Sequence, residues 1–201
     1  MTTTVSDDGT SSTTTFNECK LSGQVDGSEV PLITYDGTIS YQMSGAIVTI
    51  TANQFHVIDH IPEANISEVY YESFTMTQDT TTHETNATLT GYIVLDDDTR
   101  IDYDEYKMHI VGDTVSFEGR IKTSCLDGWF TVTTVTPIPI DTASEDDTCP
   151  TGGKLRATGD GGTVLEIEFT STGGVNVYLN GSVIDTYDTC YEMPDGCPVS
   201  S

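Results

Sequence analysis

Threonine restricts the folds that this chain can adopt more than any other residue. It accounts for 35 of the 201 residues, and it recurs in runs where β-branched or aromatic residues alternate with polar ones. Such residues favour strands, and alternation with a period of two gives a strand one apolar face. These runs, separated by glycine-rich turns, predict an all-β fold. We expect an antiparallel hairpin meander, arranged as a sheet or as a sandwich.

Several segments carry the strand pattern. In residues 45–57, Val48 and Ile50 fall on the same face. Asn180-Gly181 stands between two β-branched runs and predicts a type I′ hairpin turn. One or two helical turns are expected only at 63–70. Further strands are predicted at 69–77, 85–95, 115–123, 128–138 and 164–170.

An internal repeat supports the hairpin interpretation. Tyr71-Glu72-Ser73-Phe74 recurs as Tyr103-Asp104-Glu105-Tyr106, and each motif is followed by a strand with an internal glycine, at Gly91 and Gly119. A glycine inside a strand marks a bulge or a close approach of two backbones. The same glycine kernel occurs at Gly23 and Gly45.

Charge and motifs exclude several classes of protein. The net charge is −25, from 7 basic and 32 acidic residues. A nucleic-acid-binding protein needs a positive surface, which seven basic residues cannot supply. No run of 18 apolar residues occurs, so no transmembrane span is expected. Nucleophile motifs are absent, so no enzymatic activity is expected; an unrecognised hydrolase with paired carboxylates is the remaining enzymatic alternative.

Composition divides the chain into four parts. Residues 1–16 are polar and are expected to form a disordered tether. Residues 17–138 are predicted to form an antiparallel β domain, and residues 139–148 an acidic linker. Residues 149–201 are predicted to form a smaller, disulfide-closed β domain. The tether resembles the segment behind the lipidated cysteine of bacterial lipoproteins, which implies a lipid anchor on the natural chain.

The cysteines indicate an oxidising compartment. They are well separated and form no CxxC pair, so zinc-ribbon and thioredoxin-like motifs are unsupported. We expect disulfides between Cys149 and Cys190 and between Cys19 and Cys125, which leaves Cys197 either free or in an intermolecular bond. A Cys190–Cys197 loop is the main alternative. The expected location is the periplasm, the outer-membrane surface or the extracellular space.

An acidic segment supplies a candidate cation site. Residues 96–105 contain six carboxylates, and Asp96, Asp98, Asp102 and Asp104 are the candidate ligands. Oxygen ligands of this kind suit Ca²⁺, although no EF-hand pattern is present. The segment therefore predicts a weak calcium site at a hairpin turn, with a solvated turn as the alternative. No other cofactor is expected.

Two histidines form a second candidate site. His56 and His60, with Asp59 beside them, would face the same way on a helix and suit zinc. On a strand they would lie about 13 Å apart, at about 3.3 Å per residue, which one metal ion cannot span. The β-branched Val57 and Ile58 favour the strand, so ordinary strand-end histidines are expected.

The C-terminal part carries a resemblance to a known group of proteins. The segments are GWFTVTTVTPIPI, CPTGGKLRATGDGGT and NVYLNGSVIDTYDTCYEM. They resemble the C-terminal region of secreted proteins and lipoproteins of marine Gram-negative bacteria. YESFTMT and ATLTGYI resemble repeated strands of that group. The resemblance covers roughly half of the chain, and its motifs are structural rather than catalytic.

These features predict a non-enzymatic, exported structural or interaction protein of the bacterial cell envelope. Such an accessory or assembly subunit would bind a protein partner or further copies of itself. The first alternative is a surface protein that binds calcium or glycans.

Overall fold

The computed structural model describes residues 1–25, 28–61, 65–140 and 149–193. In this part of the chain, fourteen strands form one continuous antiparallel sheet, which confirms the all-β meander. A short 3-10 turn at Cys190–Glu192 follows the last strand. The strands are β1 (Thr2–Val5), β2 (Ser11–Val25), β3 (Ser28–Ser44), β4 (Ile47–Asp59), β5 (Ile66–Asp79), β6 (Thr85–Leu95), β7 (Arg100–Val111), β8 (Thr114–Thr123), β9 (Phe130–Thr136), β10 (Ile138–Pro139), β11 (Lys154–Gly159), β12 (Val164–Phe169), β13 (Val175–Leu179) and β14 (Ser182–Tyr187).

The strands follow one another in space in the order of the sequence. β1 to β9 pair in succession, β11 to β14 continue the sheet from β9, and β10 pairs with β8. Most neighbours are joined by tight turns, which need residues that tolerate positive φ. At the β13–β14 turn, Asn180 and Gly181 have φ values of 49° and 81°. The predicted type I′ turn is therefore confirmed.

A line of β-bulges crosses the long strands. The register shifts within β5 and β7, and Gly91 on β6 and Gly119 on β8 lie beside these shifts. A Cβ atom on Gly119 would lie 2.5 Å from the Cα of Tyr106, and one on Gly91 would overlap the carbonyl oxygen of Tyr70. The close backbone approach is confirmed at these two glycines. Gly45 differs, because it lies in the open β3–β4 turn.

The bulges explain the repeated tyrosine motif. Residues three apart in a regular strand point to opposite faces, but the extra residue of a bulge returns both rings to one face. The ring centroids of Tyr71 and Phe74 are 5.2 Å apart, and those of Tyr103 and Tyr106 are 5.3 Å apart. Phe117 stacks on Tyr106 at 5.9 Å. Burial raises the pKa of Tyr106 to about 12, as expected for a phenol in an apolar cluster.

The last four strands are short, and a disulfide joins their two ends. Cys149 precedes β11 and is bonded to Cys190, which follows β14, so this predicted pairing is confirmed. Val175 and Ile138 are 1% and 5% exposed and lie in the core of this part. β9 and β11 are hydrogen-bonded neighbours, so the sheet runs without a break into the C-terminal strands.

The expected disordered tether over residues 1–16 is wrong for most of that segment. Thr2–Val5 form β1, and β2 begins at Ser11. The carboxylate of Asp8 holds the turn between them by accepting hydrogen bonds from Ser6 and Thr10. A polar run of β-branched residues can therefore extend an existing sheet, although it has little apolar surface of its own to bury.

The predicted Cys19–Cys125 disulfide is also wrong. Cys19 is a free thiol, whereas Cys125 is disulfide-bonded. Cys19 lies on β2, and five strands separate β2 from β8, after which Cys125 follows. A disulfide needs Cα atoms about 4.4–6.8 Å apart, which this placement does not provide. The alternative Cys190–Cys197 loop is excluded by the Cys149–Cys190 bond, and Cys197 itself lies outside the described residues.

Two further expectations concern the segments between strands. The helical turns expected at 63–70 are wrong from Ile66 onward, where β5 begins, because aromatic and β-branched residues there pair with β4 and β6. Residues 62–64 lie outside the described part. Of the predicted acidic linker 139–148, Pro139 belongs to β10, and residues 141–148 are not described.

Candidate binding surface

The acidic segment forms the predicted hairpin turn between β6 and β7. Asp96 to Asp98 lie in the turn, and Asp98 has a φ of 64°. The carboxylate of Asp97 accepts a 2.8 Å hydrogen bond from the backbone N–H of Thr99. Hydrogen bonds from Thr99 lower the pKa of Asp97. This carboxylate therefore stabilises the turn itself.

The structure separates the four candidate calcium ligands. Arg100 donates to Asp102 at 2.9 and 2.6 Å, and Arg120 donates to Asp104 at 3.3 Å. Asp102 and Asp104, the two candidate ligands on β7, are thus paired with guanidinium groups. Among the described residues, no three acidic, histidine or cysteine side chains are grouped so that they could hold a metal ion.

The two histidines do not converge either. His56 lies on β4 and is hydrogen-bonded to Glu68 at 2.8 Å, whereas His60 follows β4 and is hydrogen-bonded to Thr34 at 3.0 Å. The strand interpretation is therefore confirmed. The hydroxyl group of Tyr92 also donates to Glu68, at 2.5 Å. This bond, followed by the bond to His56, lowers the pKa of Glu68.

An aromatic row surrounds this carboxylate on one face of the sheet. Tyr70 lies between His56 and Tyr92, with ring-centroid distances of 5.8 and 5.3 Å. Arg100 lies over the Tyr92 ring at 3.6 Å. Burial, followed by the bond to Glu68, raises the pKa of Tyr92 to about 12. The row is a connected polar network, and most of its hydrogen-bonding groups are already used.

The same face carries a large array of uncharged polar side chains, which we call the hydroxyl face. Directly paired residues of adjacent antiparallel strands point to one face, so the register assembles rows across β1 to β6. Two rows contain six residues and one contains five. The rows are Thr4, Thr13, Ser40, Thr51, Thr75 and Thr88; Thr2, Thr15, Thr38, Asn53, Ser73 and Thr90; and Ser11, Gln42, Thr49, Thr77 and Asn86.

The hydroxyl face contains no charged residue, although the chain has 32 acidic ones. Neighbouring hydroxyls contact one another across strands. Thr13 and Ser40 are 3.0 Å apart, and Thr15 and Thr38 are 3.4 Å apart. The opposite face is apolar on strands β4 and β6, where Ala52 and Ala87 are buried, whereas on β1 and β2 the hydroxyls of Thr3 and Thr14 meet there at 3.1 Å. The alternation along β4 and β6 therefore separates apolar from polar side chains, and the three rows themselves are uncharged.

A depression lies where the rows continue onto β7, β8 and β9. Its volume is about 410 Å³, which is within the range of small-molecule sites, about 300–1,000 Å³. Lys107 and Glu118 stand directly opposite each other within it. In the described part of the chain, neither has an ion-pair or hydrogen-bond partner. The polar residues that line the depression are Asn86, Thr88, Lys107, His109, Ser116, Glu118, Thr133 and Thr134.

The sequence interpretation missed the hydroxyl face and the depression. The available signal was the recurrence of Thr-x-Thr at 13–15, 49–51, 75–77 and 88–90. These pairs occur at irregular intervals, and only the strand register aligns them. Neither Lys107 nor Glu118 belongs to a recognisable motif.

Comparison of the chain with protein-family models, curated proteins and solved structures found no match. None of the described residues belongs to a helix that could cross a lipid bilayer.

Proposed function

We propose that this protein is an exported, non-enzymatic interaction protein of the bacterial cell envelope and that the hydroxyl face is its binding surface. One observation carries the proposal. Two rows of uncharged polar side chains span six strands, and a third spans five, in a chain whose net charge is −25.

The spacing of these rows suits an extended, uncharged partner. Adjacent strands lie about 4.8 Å apart, and alternate residues along a strand lie about 6.7 Å apart. The backbone ladder fixes both spacings, so little side-chain freedom is lost on binding. Hydroxyl and amide groups both donate and accept hydrogen bonds. The surrounding negative charge repels anionic partners.

The disulfide supports an oxidising location. The Cys149–Cys190 bond is typical of secreted, periplasmic and cell-surface proteins. The periplasm, the outer-membrane surface and the extracellular space all remain part of the proposal. A role as an accessory subunit fits a surface of this size, because extended β surfaces bind without catalytic groups.

The test is co-sedimentation of the purified protein with isolated bacterial cell envelopes. The row from Thr4 to Thr88 lies between the other two and is called the middle row. Thr51 and Thr75 are direct neighbours in it, so Thr51→Glu with Thr75→Glu places two charges at its centre. We expect binding to fall at least about tenfold, because each carboxylate introduces an unpaired charge into the interface.

A matched control is available on the same face. Thr131 and Thr158 are direct neighbours on β9 and β11, beyond the hydroxyl face. Thr131→Glu with Thr158→Glu adds the same two charges and should leave binding unchanged. Equal binding by both double variants would refute the role of the hydroxyl face, and no binding by the unmodified protein would refute the proposed function.

A further inference from the structure

The depression between β6 and β9 contains Lys107 and Glu118, the two charged side chains that follow Thr88 in the middle of the three rows. The middle row runs from Thr75 through Thr88 to Lys107 and continues to Glu118 and Thr133. A partner lying along this row therefore reaches the depression. We infer that the depression binds a sugar ring of a neutral polysaccharide whose chain extends over the hydroxyl face. This inference rests on the proposed function and names its ligand class.

The chemistry of the depression matches a sugar ring. The Lys107 ammonium offers three donors, and the Glu118 carboxylate accepts hydrogen bonds at two oxygens. Both groups lack a partner within the described residues, although they face each other across β7 and β8. Asn86, Ser116 and the neighbouring threonines donate and accept. Each sugar hydroxyl both donates and accepts hydrogen bonds, so it suits a site in which donors and acceptors lie side by side. Hydrogen bonds from a hydroxyl to a charged group are stronger than those to a neutral group.

The charge distribution selects a neutral glycan. The chain has a net charge of −25, and Glu118 lies within the depression itself. His109, on the next row, is hydrogen-bonded to Glu84 at 2.8 Å. A sulfated or uronic-acid polymer would approach these carboxylates and be repelled. A neutral polysaccharide is not repelled by these carboxylates.

The geometry also favours a polymer over a single sugar. An open surface buries only one side of each ring, so the free energy gained per ring is small. Several rings bound in succession act together, because linkage makes each later contact intramolecular. The middle row crosses the five strands from β1 to β5 before it reaches the depression at β6, which provides room for several rings. Affinity should therefore rise with chain length.

The experiment is isothermal titration of the full chain with three neutral hexasaccharides: cellohexaose, maltohexaose and chitohexaose. Tetragalacturonate serves as the anionic comparison. We expect one neutral series to bind, with affinity increasing from the trisaccharide to the hexasaccharide, and no binding of the uronate. Lys107→Ala and Glu118→Gln should each weaken binding about tenfold, the effect of losing one charge-assisted hydrogen bond.

Lys122→Ala is the matched control, because Lys122 is an exposed lysine on the same strand as Glu118 but outside the depression. It should bind like the unmodified protein. Thermal unfolding of each variant shows that the fold is retained. Binding that is unchanged in both Lys107→Ala and Glu118→Gln would overturn the inference.

The outcomes separate this inference from the proposed function. If no neutral hexasaccharide binds, the sugar assignment is overturned. The proposed function then still stands if the protein sediments with cell envelopes and the Thr51, Thr75 double variant does not. If the protein binds neither the sugars nor the envelopes, both proposals fail.

Discussion

The long strands β2 to β8 and the short strands β11 to β14 are stabilised in different ways. The first group has strands of 10 to 17 residues, and it combines a line of bulges with an aromatic cluster. The second has strands of five or six residues and one disulfide across its ends. Long strand pairs bring many side chains into contact. Short strand pairs gain less stabilising free energy per strand, so a covalent link between their ends adds more to their stability.

The two regions also use charge differently. On the long strands, three rows of uncharged side chains lie on the polar face, beside charged residues such as Glu68 and Arg100. On the short strands, Lys154 and Arg156 both contact Glu166, at 3.0 and 2.8 Å. Hydrogen bonds from these two basic residues lower the pKa of Glu166. The uncharged part is thus available for a partner, while the ion pairs of the C-terminal part are satisfied within the sheet.

The largest expected effect comes from a variant that disrupts the line of β-bulges in the long strands. Gly119→Ala places a Cβ atom 2.5 Å from the Cα of Tyr106 at a φ of 150°. Overpacking and backbone strain together should cost about 3 kcal/mol or more, measured by urea unfolding. Gly112→Ala is the control, because Gly112 also has positive φ but meets nothing within 4 Å. Equal costs for the two variants would show that the close approach is unimportant.

The next effect concerns the short strands. Cys149→Ala with Cys190→Ala removes a link that closes 41 residues of chain, and it should cost about 2–4 kcal/mol in urea unfolding. Cys19→Ser changes a free thiol on β2 and should cost less than about 1 kcal/mol. A cost below about 1 kcal/mol for the double variant would contradict the idea that the short strands depend on their covalent link.

A smaller effect tests the aromatic row. Tyr92→Phe removes the hydrogen bond to Glu68 and should cost about 1 kcal/mol at neutral pH. The bond lowers the folded-state pKa of Glu68 below its ordinary value of 4.5. Its contribution is therefore present above that value and is lost as the pH falls through the folded-state pKa.

The measurement is thermal unfolding of the unmodified protein and Tyr92→Phe from neutral pH into the acidic range. Their difference in stability should shrink as Glu68 becomes protonated. A difference that stays constant across the range would mean that the Tyr92 hydroxyl acts without the Glu68 carboxylate.

The smallest expected effect is at the acidic segment. Asp104→Asn removes an exposed ion pair with Arg120 and should change the free energy of unfolding by less than about 0.5 kcal/mol. Urea unfolding with and without 1 mM CaCl₂, roughly a millimolar extracellular level, separates this pairing from cation binding. A calcium-dependent stabilisation that Asp104→Asn abolishes would restore Asp104 as a ligand.

Strands and turns were predictable from the sequence where neighbouring residues alone specify them. The strand at 85–95 and the Asn180-Gly181 turn follow from alternation and turn chemistry, and both are found. Strand β7 was predicted only as the unbounded second arm of the hairpin at the acidic segment. Carboxylates are uncommon in strands, and the pairing of Arg100 and Arg120 with its aspartates was not foreseen. The Cys19–Cys125 pairing failed because spacing along the chain does not define distance across a sheet.

The sequence by itself determined the all-β class, the positions of several turns and the Cys149–Cys190 link. Periodicity and turn residues carry the first two locally, whereas cysteine spacing was right for Cys149 and Cys190 and wrong for Cys19. Only the tertiary structure decided the register, and the register aligns Thr51 with Ser40 and Thr75 and brings Lys107 opposite Glu118. The physical reason is that a bulge or a one-residue slip exchanges the faces of a strand. The side chains that share a surface are therefore fixed by pairing between distant segments.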